Sequence, residues 1–228
     1  MPRGPGKSHP GDNTLMVFFK EPVEGFVKTR LAKDIGEPQA LKVFQVLLEY
    51  TFDNVLETKG VNVVLFYEGK GKCRLPLCSM RKDWRLREQA KGDLGQKFLA
   101  GFREMFSEGA SKVVVIGTDC IGLTPKVLRA AFDGLKDHDI TIGPTEDGGY
   151  YILGLKDIAV ASRILTDIPW STDKVFQETM EKTKGASVKV LPKLYDVDTL
   201  KDWDRAKLED KDIVALLMAF DKDKEGWA

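Results

Sequence analysis

Five acidic residues in three short segments could bring carboxylates to one cation. They are Asp119, the pair Glu146 and Asp147, and the pair Asp196 and Asp198. Mg²⁺ and Mn²⁺ prefer oxygen ligands, commonly one or two carboxylates with water and substrate phosphates in the remaining positions. Residues two apart in an extended segment point to the same side, so Asp196 and Asp198 can face one ion. We therefore predict that Asp119, Asp196 and Asp198 bind Mg²⁺ or Mn²⁺.

These acids also have purely structural interpretations. Asp119 follows an aliphatic run and could simply cap the next turn. Asp198 precedes Thr199, and together they could do no more than begin the last helix. The sequence leaves both alternatives open.

A loop with three cations follows the first apolar run of the chain. Lys20, Lys28 and Arg30 lie in it, and Gly25 allows its backbone to bend close to a ligand. Arg30 can donate to two phosphate oxygens while Lys28 acts as a movable point charge. We predict a triphosphate site here, although a solvated basic turn has the same composition. The loop matches neither the Walker pattern nor the dinucleotide glycine pattern.

Two glycine-bearing motifs could contact the rest of a substrate. Gly148 and Gly149 follow Asp147, and paired glycines permit the close approach that would suit the floor of a sugar or acceptor site. A tight turn is the competing interpretation. Asp93 and Gly95 stand at a predicted helix entrance, where backbone amides could face a base or a phosphate.

The elements that position these residues alternate between strand and helix. Residues 113–116 are an unbroken aliphatic run, which is typical of a strand buried on both faces of a parallel sheet. Strands are predicted also at 15–19, 61–67, 84–88, 139–142, 150–155 and 187–191, and helices at 37–57, 94–106, 125–135, 172–182 and from 199 on. This order indicates an α/β sandwich with a largely parallel sheet. Ligands of such sheets bind outside the carboxyl ends of the strands, where Asp119 would lie.

Composition limits the other possibilities. The chain has 228 residues, with 35 basic and 35 acidic, so no overall charge favours nucleic acid or an anionic membrane. We expect a mobile leader at 1–13 and a single domain at 14–228, without membrane insertion and in the cytoplasm. Cys73 and Cys78 lack the partners of a zinc site, and Cys120 is expected to be a small buried thiol. With two histidines, no serine, cysteine or histidine nucleophile site is recognisable.

The combined motifs resemble a bacterial family of GT-A-like transferases, known as glycosyltransferase-like or as radical-SAM/selenodomain-associated transferases. The resemblance spans roughly residues 15–206. Its motifs are KEP at 20–22, GFVKTRL at 25–31, GTDC at 117–120, GP at 143–144 with EDGGYY at 146–151, and WST at 170–172. Where proline is common after the motif aspartate, this chain has Ile121 and Gly122. That departure implies a more flexible loop after Asp119.

The resemblance implies a Rossmann-like GT-A fold, the fold of nucleotide-diphospho-sugar transferases, arranged as a three-layer sandwich. It further implies that Lys28 and Arg30 bind phosphate, that Asp119 binds the metal, and that Asp196 and Asp198 complete the metal site.

We predict a metal-dependent transferase that acts on a nucleoside triphosphate or a nucleotide sugar and a small-molecule acceptor. Nucleotidyl transfer is preferred, with catalysis by positioning and charge. In the alternative, glycosyl transfer, Asp147 would contact the donor sugar or activate an acceptor hydroxyl. The third hypothesis for the function is a nucleotide-binding protein without turnover.

Overall fold

The computed structural model describes residues 13–69 and 83–222. Its main sheet has seven strands, namely β1 (Asn13–Lys20), β2 (Asn62–Glu68), β3 (Arg85–Glu88), β4 (Lys112–Ile116), β6 (Ile140–Pro144), β7 (Tyr150–Leu155) and β8 (Val188–Val190). Across the sheet these strands lie in the order β3-β2-β1-β4-β7-β6-β8. Two short strands, β5 (Cys120–Ile121) and β9 (Tyr195–Asp196), form a second sheet.

The main sheet is largely parallel, as predicted. Strand β1 lies parallel to β2 and β4, β2 to β3, and β6 to β8, whereas β7 is antiparallel to both β4 and β6. The exception has a simple cause, because only residues 145–149 join β6 to β7. A parallel crossover needs about a dozen residues or more, so this connection can only make a hairpin.

Helices cover both faces of the sheet. The described helices are α1 (Thr29–Ile35), α2 (Glu37–Leu56), α3 (Leu94–Ser107), α4 (Pro125–Asp137), α5 (Ile158–Leu165), α6 (Val175–Glu181), α7 (Leu200–Glu209) and α8 (Lys211–Lys222). Alternate residues of β1 enter two separate cores. Leu15 and Val17 pack in the core that contains Phe44 of α2, while Met16 packs in the core that contains Phe102 of α3. The predicted three-layer sandwich is therefore confirmed.

A third apolar cluster supports the last part of the chain. Leu31 of α1, Trp203 of α7 and Ile213 of α8 pack there with Val197, which has no exposed surface. Because Val197 points into this cluster, its two chain neighbours are directed the other way in the extended segment.

Several predicted boundaries were wrong. Helix α1 lies where a loop was expected, and its one fully buried side chain, Leu31, stabilises it through the third cluster. Helix α6 begins at Val175 rather than after Ser171 or Thr172, and the Thr172 hydroxyl accepts instead from the backbone N–H of Lys174 at 3.3 Å, before the helix starts. Helix α5 was not predicted, and the last helical stretch, predicted from 199 on, is divided into α7 and α8 at Asp210.

Some expectations concern residues that the structure does not describe. Asn13 already belongs to β1, while the rest of the expected leader, together with Cys73 and Cys78, lies outside those residues. The helices at 13–69 and 83–222 include none that is both long enough and apolar enough to cross a membrane.

Candidate functional site

A cleft of about 630 Å³ opens at the carboxyl ends of β1 and β4. Lys20 at the end of β1 lines it, and so do Lys28, Arg30 and Asp119. Asp196 and Asp198, which are far away in sequence, line the same cleft. Its volume lies in the range of pockets that hold small molecules and cofactors. The structure thus brings the predicted cationic loop and the predicted metal ligands to one place.

The second sheet brings the acids together. Cys120 pairs with Asp196 in the antiparallel β5-β9 ladder, which places Asp196 beside the residue that follows Asp119. The backbone N–H of Val197 also donates to the carbonyl oxygen of Asp119 at 2.9 Å. Since Val197 is buried in the third cluster, Asp196 and Asp198 both face the cleft, as their spacing predicts.

Lys28 lies among these carboxylates. Its ammonium nitrogen is 2.5 Å from Asp119 Oδ1 and 3.5 Å from Asp198 Oδ1, and its side chain is only 3% exposed. Burial by itself would lower the pKa of Lys28, but Asp119 and Asp198 outweigh that effect and raise it. The amine is therefore protonated at neutral pH and neutralises part of the acidic cluster.

Arg30 stands at the mouth of the site. Its Nη1 donates to Asp198 Oδ2 at 3.3 Å, yet the side chain is 71% exposed. An exposed guanidinium can leave such a pair at little cost, because surface ion pairs contribute little stability. Arg30 is therefore free to reach an anion in the cleft.

Asp196 is the most strongly perturbed acid of the cluster. Burial raises its pKa to about 7, and the negative charges of Asp119 and Asp147 add to the effect, while Lys28 opposes it. Asp119, Asp196 and Asp198 thus place three carboxyl groups in the cleft with one buried ammonium among them.

The Asp196 shift gives a pH-dependent prediction. In the unfolded chain the Asp196 carboxyl ionises near pH 4, whereas in the folded protein it stays protonated until about pH 7. The contribution of this group to the unfolding free energy is therefore fully present below about pH 4 and is lost as the pH rises to about 7. Asp196→Asn should remove this loss and raise the unfolding free energy at pH 8 by up to about 4 kcal/mol. Urea unfolding at pH 4.5 and pH 8 measures the difference. An equal pH dependence in both proteins would contradict the assignment.

The cluster has the chemistry of a divalent-cation site but not the arrangement of one. Among residues 13–69 and 83–222, no group of three or more His, Cys, Asp and Glu side chains is placed to hold a metal ion. Lys28 lies among these acids instead, and Asp119 Oδ1 is buried against its ammonium without another hydrogen-bond partner in that part of the chain. The donor set is entirely oxygen, which suits Mg²⁺ or Mn²⁺. The donor types therefore suit a divalent cation, and binding of one by these acids stays a prediction.

Comparison with known proteins places the chain in a family. Residues 51–172, more than half of its length, match the family described as uncharacterized protein conserved in bacteria, DUF2064. The chain belongs to the DUF2064 family. No curated protein matches this DUF2064 protein in sequence.

Solved structures resemble this DUF2064 protein over nearly its whole length. A candidate nucleotide-diphospho-sugar transferase from Desulfovibrio desulfuricans G20 is 25% identical, with a TM-score of 0.82 over 93% of this chain and 96% of that one. The inositol-1-phosphate CTP transferase of T. maritima is 17% identical, with a TM-score of 0.58 over 96% and 99%. Rv0371C of Mycobacterium tuberculosis H37Rv, solved as a manganese complex, is 16% identical, with a TM-score of 0.53 over 87% and 100%. The expected superfamily and its GT-A-like fold are thus confirmed.

The Asp147 motif of the DUF2064 protein forms a tight turn. Asp147 Oδ1 accepts from the hydroxyl of Thr145 at 2.5 Å and from the backbone N–H of Gly149 at 3.1 Å. Gly148 has φ of 90°, and a Cβ there would lie 2.0 Å from the carbonyl oxygen of Asp173. Residues 147–149 are not among the described residues that line the cleft. The turn alternative therefore explains Gly148, and contact of Asp147, Gly148 or Gly149 with substrate stays a prediction.

Two further predicted residues also have structural roles. Asp93 caps α3, where its Oδ1 accepts from the backbone N–H of Gln96 at 2.8 Å. Gly95 lets α3 approach Leu165, since a Cβ would be 2.4 Å from that residue's carbonyl oxygen. Leu94, which lies between them in the sequence, lines the cleft, whereas Asp93 and Gly95 are not among the described residues that do so. A nucleotide contact by Asp93 or Gly95 therefore stays a prediction.

The remaining members of the loop and of the acidic groups differ in position. Gly25 has φ of 74°, which supports the bend that was expected of the loop. The ammonium of Lys20 lies 5.5 Å from the ring centroid of Phe26, at the edge of the cleft. Glu146 is not among the described residues that line the cleft, and both its carboxylate oxygens accept from Arg205, at 3.1 and 2.9 Å.

Sequence reasoning missed several residues of the cleft. Gln89 Nε2 donates to the carbonyl oxygens of Phe19 and Phe66, both at 3.0 Å, and so joins β1 to β2 at their ends. Lys97 pairs with Glu68 at 2.8 Å across the cleft wall. Glu68 ends β2 and Lys97 lies one turn into α3, so both could have been proposed from the rule that sites form at strand ends. Ser171 also lines the cleft, and its signal in the sequence is the WST motif of the resemblance.

The helix-cap alternative for Asp198 can be separated from its cleft role. Thr199 forms a capping box with Asp202 at the start of α7, so the cap belongs to Thr199 rather than to Asp198. Thr199→Ala should lower the unfolding free energy by about 1 kcal/mol and leave any metal-dependent rise in melting temperature intact. Thr124→Ala is the matched control, because Thr124 precedes α4 without a side-chain capping bond and its loss should cost less. Loss of the metal-dependent rise in Thr199→Ala would refute this separation.

Proposed function

We propose that this protein is a metal-dependent nucleotidyltransferase that uses a nucleoside triphosphate and a small-molecule acceptor. The observation that supports it is the meeting of Lys28 and Arg30 with Asp119, Asp196 and Asp198 in one cleft at the strand ends. Cations and carboxylates together suit a complex of a polyphosphate with a divalent ion, since the cations attract phosphate and the acids attract the metal.

Each residue has a definite task in this proposal. Arg30 is exposed in the cleft and has the planar geometry that pairs with two phosphate oxygens. Lys28 supplies a second positive charge close to the acids. A divalent cation, when bound, would offset the charge that builds on the pyrophosphate leaving group. Asp119, Asp196 and Asp198 would hold it.

The chain has no need of a nucleophile of its own. The acceptor attacks the α-phosphorus directly, and the cleft holds the two reactants in line. Cys120, beside Asp119, does not compete for this role, because burial raises the pKa of its thiol well above the ordinary value. The inositol-1-phosphate CTP transferase with the same fold is named for such a transfer, and the Rv0371C structure contains manganese.

Glycosyl transfer is the second candidate, and the name of the Desulfovibrio protein supports it. The acids would then hold the metal with the diphosphate of a nucleotide sugar, and the products would include a nucleoside diphosphate. The product therefore separates the two reactions.

The test uses the full chain with each nucleoside triphosphate or sugar nucleotide, a panel of sugar phosphates and alcohols, and Mg²⁺ or Mn²⁺. We expect pyrophosphate release that requires both the metal and an acceptor. Release of nucleoside diphosphate instead would establish the glycosyl alternative. Tight nucleotide binding without any product across the panel would indicate a protein that binds nucleotide without turnover.

A further inference from the structure

Lys28 has a second feature besides its charge, namely its position at the centre of the acids. Its ammonium touches Asp119 at 2.5 Å and Asp198 at 3.5 Å, and it is almost fully enclosed. Arg30, two residues later, is paired with the same Asp198 but remains 71% exposed. The two cations of the loop are therefore not equivalent, since one of them fills the space between the carboxylates.

A metal ion that used the same oxygens would compete with this ammonium. A divalent ion bound to Oδ1 of Asp119 and Oδ1 of Asp198 would lie at contact distance from the positive charge of Lys28. Repulsion between like charges at such distances is strong beside a side chain that is only 3% exposed. Entry of the metal therefore requires the ammonium to leave.

Two features favour movement of the Lys28 side chain out of the acidic cluster, namely its positive φ and its position in the cleft. It is one of three non-glycine residues with positive φ in the described chain, at 47°, a conformation that an L-residue adopts only where its surroundings hold it. Lysine has a long flexible stem, and that of Lys28 already lines the cleft that Arg30 faces. A polyphosphate there would offer the ammonium new oxygen partners.

We propose that Lys28 occupies the metal position of the metal-free protein and is exchanged for the divalent cation, moving onto the phosphates of the nucleotide. This inference rests on the proposed function. It makes metal and nucleotide mutually dependent ligands, because each removes an obstacle to the other and such coupling is reciprocal. The metal alone should bind weakly.

The first test measures Mn²⁺ binding to the full chain without nucleotide, by the electron paramagnetic resonance of free Mn²⁺. Lys28→Met removes the competing charge and should bind Mn²⁺ at least tenfold more tightly than the wild type. Lys156→Met is the matched control, since Lys156 pairs with Asp139 at 3.5 Å and lies outside the residues that line the cleft. Its affinity should stay within twofold of the wild type. Equal or weaker binding by Lys28→Met would overturn the exchange.

The second test needs no variant and therefore stands even if Lys28→Met does not fold. Acetylation of lysines in the wild type, followed by mass spectrometry, should label Lys28 slowly in metal-free protein and at least fivefold faster at saturating Mn²⁺. Unchanged labelling with Mn²⁺ bound would refute the exchange. The proposed function is judged separately by pyrophosphate release, so turnover without the exchange and the exchange without turnover are distinguishable results.

Discussion

Asp119→Asn should abolish the rise in melting temperature that Mg²⁺ or Mn²⁺ adds to a bound nucleotide. Asp119 is the acid nearest to Lys28, lies between β4 and β5, and lines the cleft with its side chain 46% exposed. An amide keeps the shape of the carboxylate but loses the charge that a hard cation requires. A ligand that binds only the native state raises its melting temperature, so a thermal-shift assay with and without metal measures the loss.

The fold should survive Asp119→Asn. Lys28 keeps Asp198 at 3.5 Å as a counter-charge, and the loss of one neighbouring negative charge relieves Asp196. We expect the unfolding free energy to fall by no more than about 2 kcal/mol. Any pyrophosphate release should fall by about a hundredfold or more.

The control for this variant is Asp133→Asn. It makes the same chemical change in an exposed pair with Lys136, where both side chains are more than half exposed and the pair contributes little. It should keep both the metal-dependent shift and the turnover. A metal-dependent shift that survives unchanged in Asp119→Asn would show that Asp119 is not a metal ligand.

Gly148→Ala should be among the most destabilising single changes in the chain. The φ of 90° already disfavours any residue with a Cβ, and that Cβ would lie 2.0 Å from the carbonyl oxygen of Asp173, which belongs to the backbone and cannot rotate away. The Gly148 carbonyl also accepts from the N–H of Phe176, so the turn cannot shift alone. We expect a loss of about 3 to 5 kcal/mol in unfolding free energy, measured by urea unfolding.

Gly109→Ala separates the two causes of this loss. Gly109 has a nearly identical φ of 93°, but nothing lies within 4 Å of the Cβ position. It should therefore show only the backbone cost, about 1 to 2 kcal/mol. Equal losses in the two variants would mean that the contact with Asp173 does not determine the need for glycine at position 148.

Patterns that repeat over many residues were predictable. The aliphatic run 113–116 predicted a strand buried on both faces, and its four residues are all buried in β4. The spacing of Phe44, Leu48 and Phe52 predicted one apolar helix face, and these residues lie together in the core. Both follow from the geometry of strand and helix, which imposes its period on the sequence.

Short elements were not predictable, because they have no room for a pattern. Strands β5 and β9 have two residues each and are ordered by their pairing with one another across some seventy residues of chain. The close pair of Lys28 with Asp119 was missed for a related reason. Sequence indicated that one binds phosphate and the other metal, but only three-dimensional proximity reveals that they neutralise each other.

The match to the family includes only one strand of the β5-β9 pair. The segment that matches the family, residues 51–172, includes Asp119 but ends before Asp196 and begins after Lys28. Family membership alone therefore implies neither a lysine at position 28 nor an acid at position 196, and these two positions have to be compared separately in each homologue.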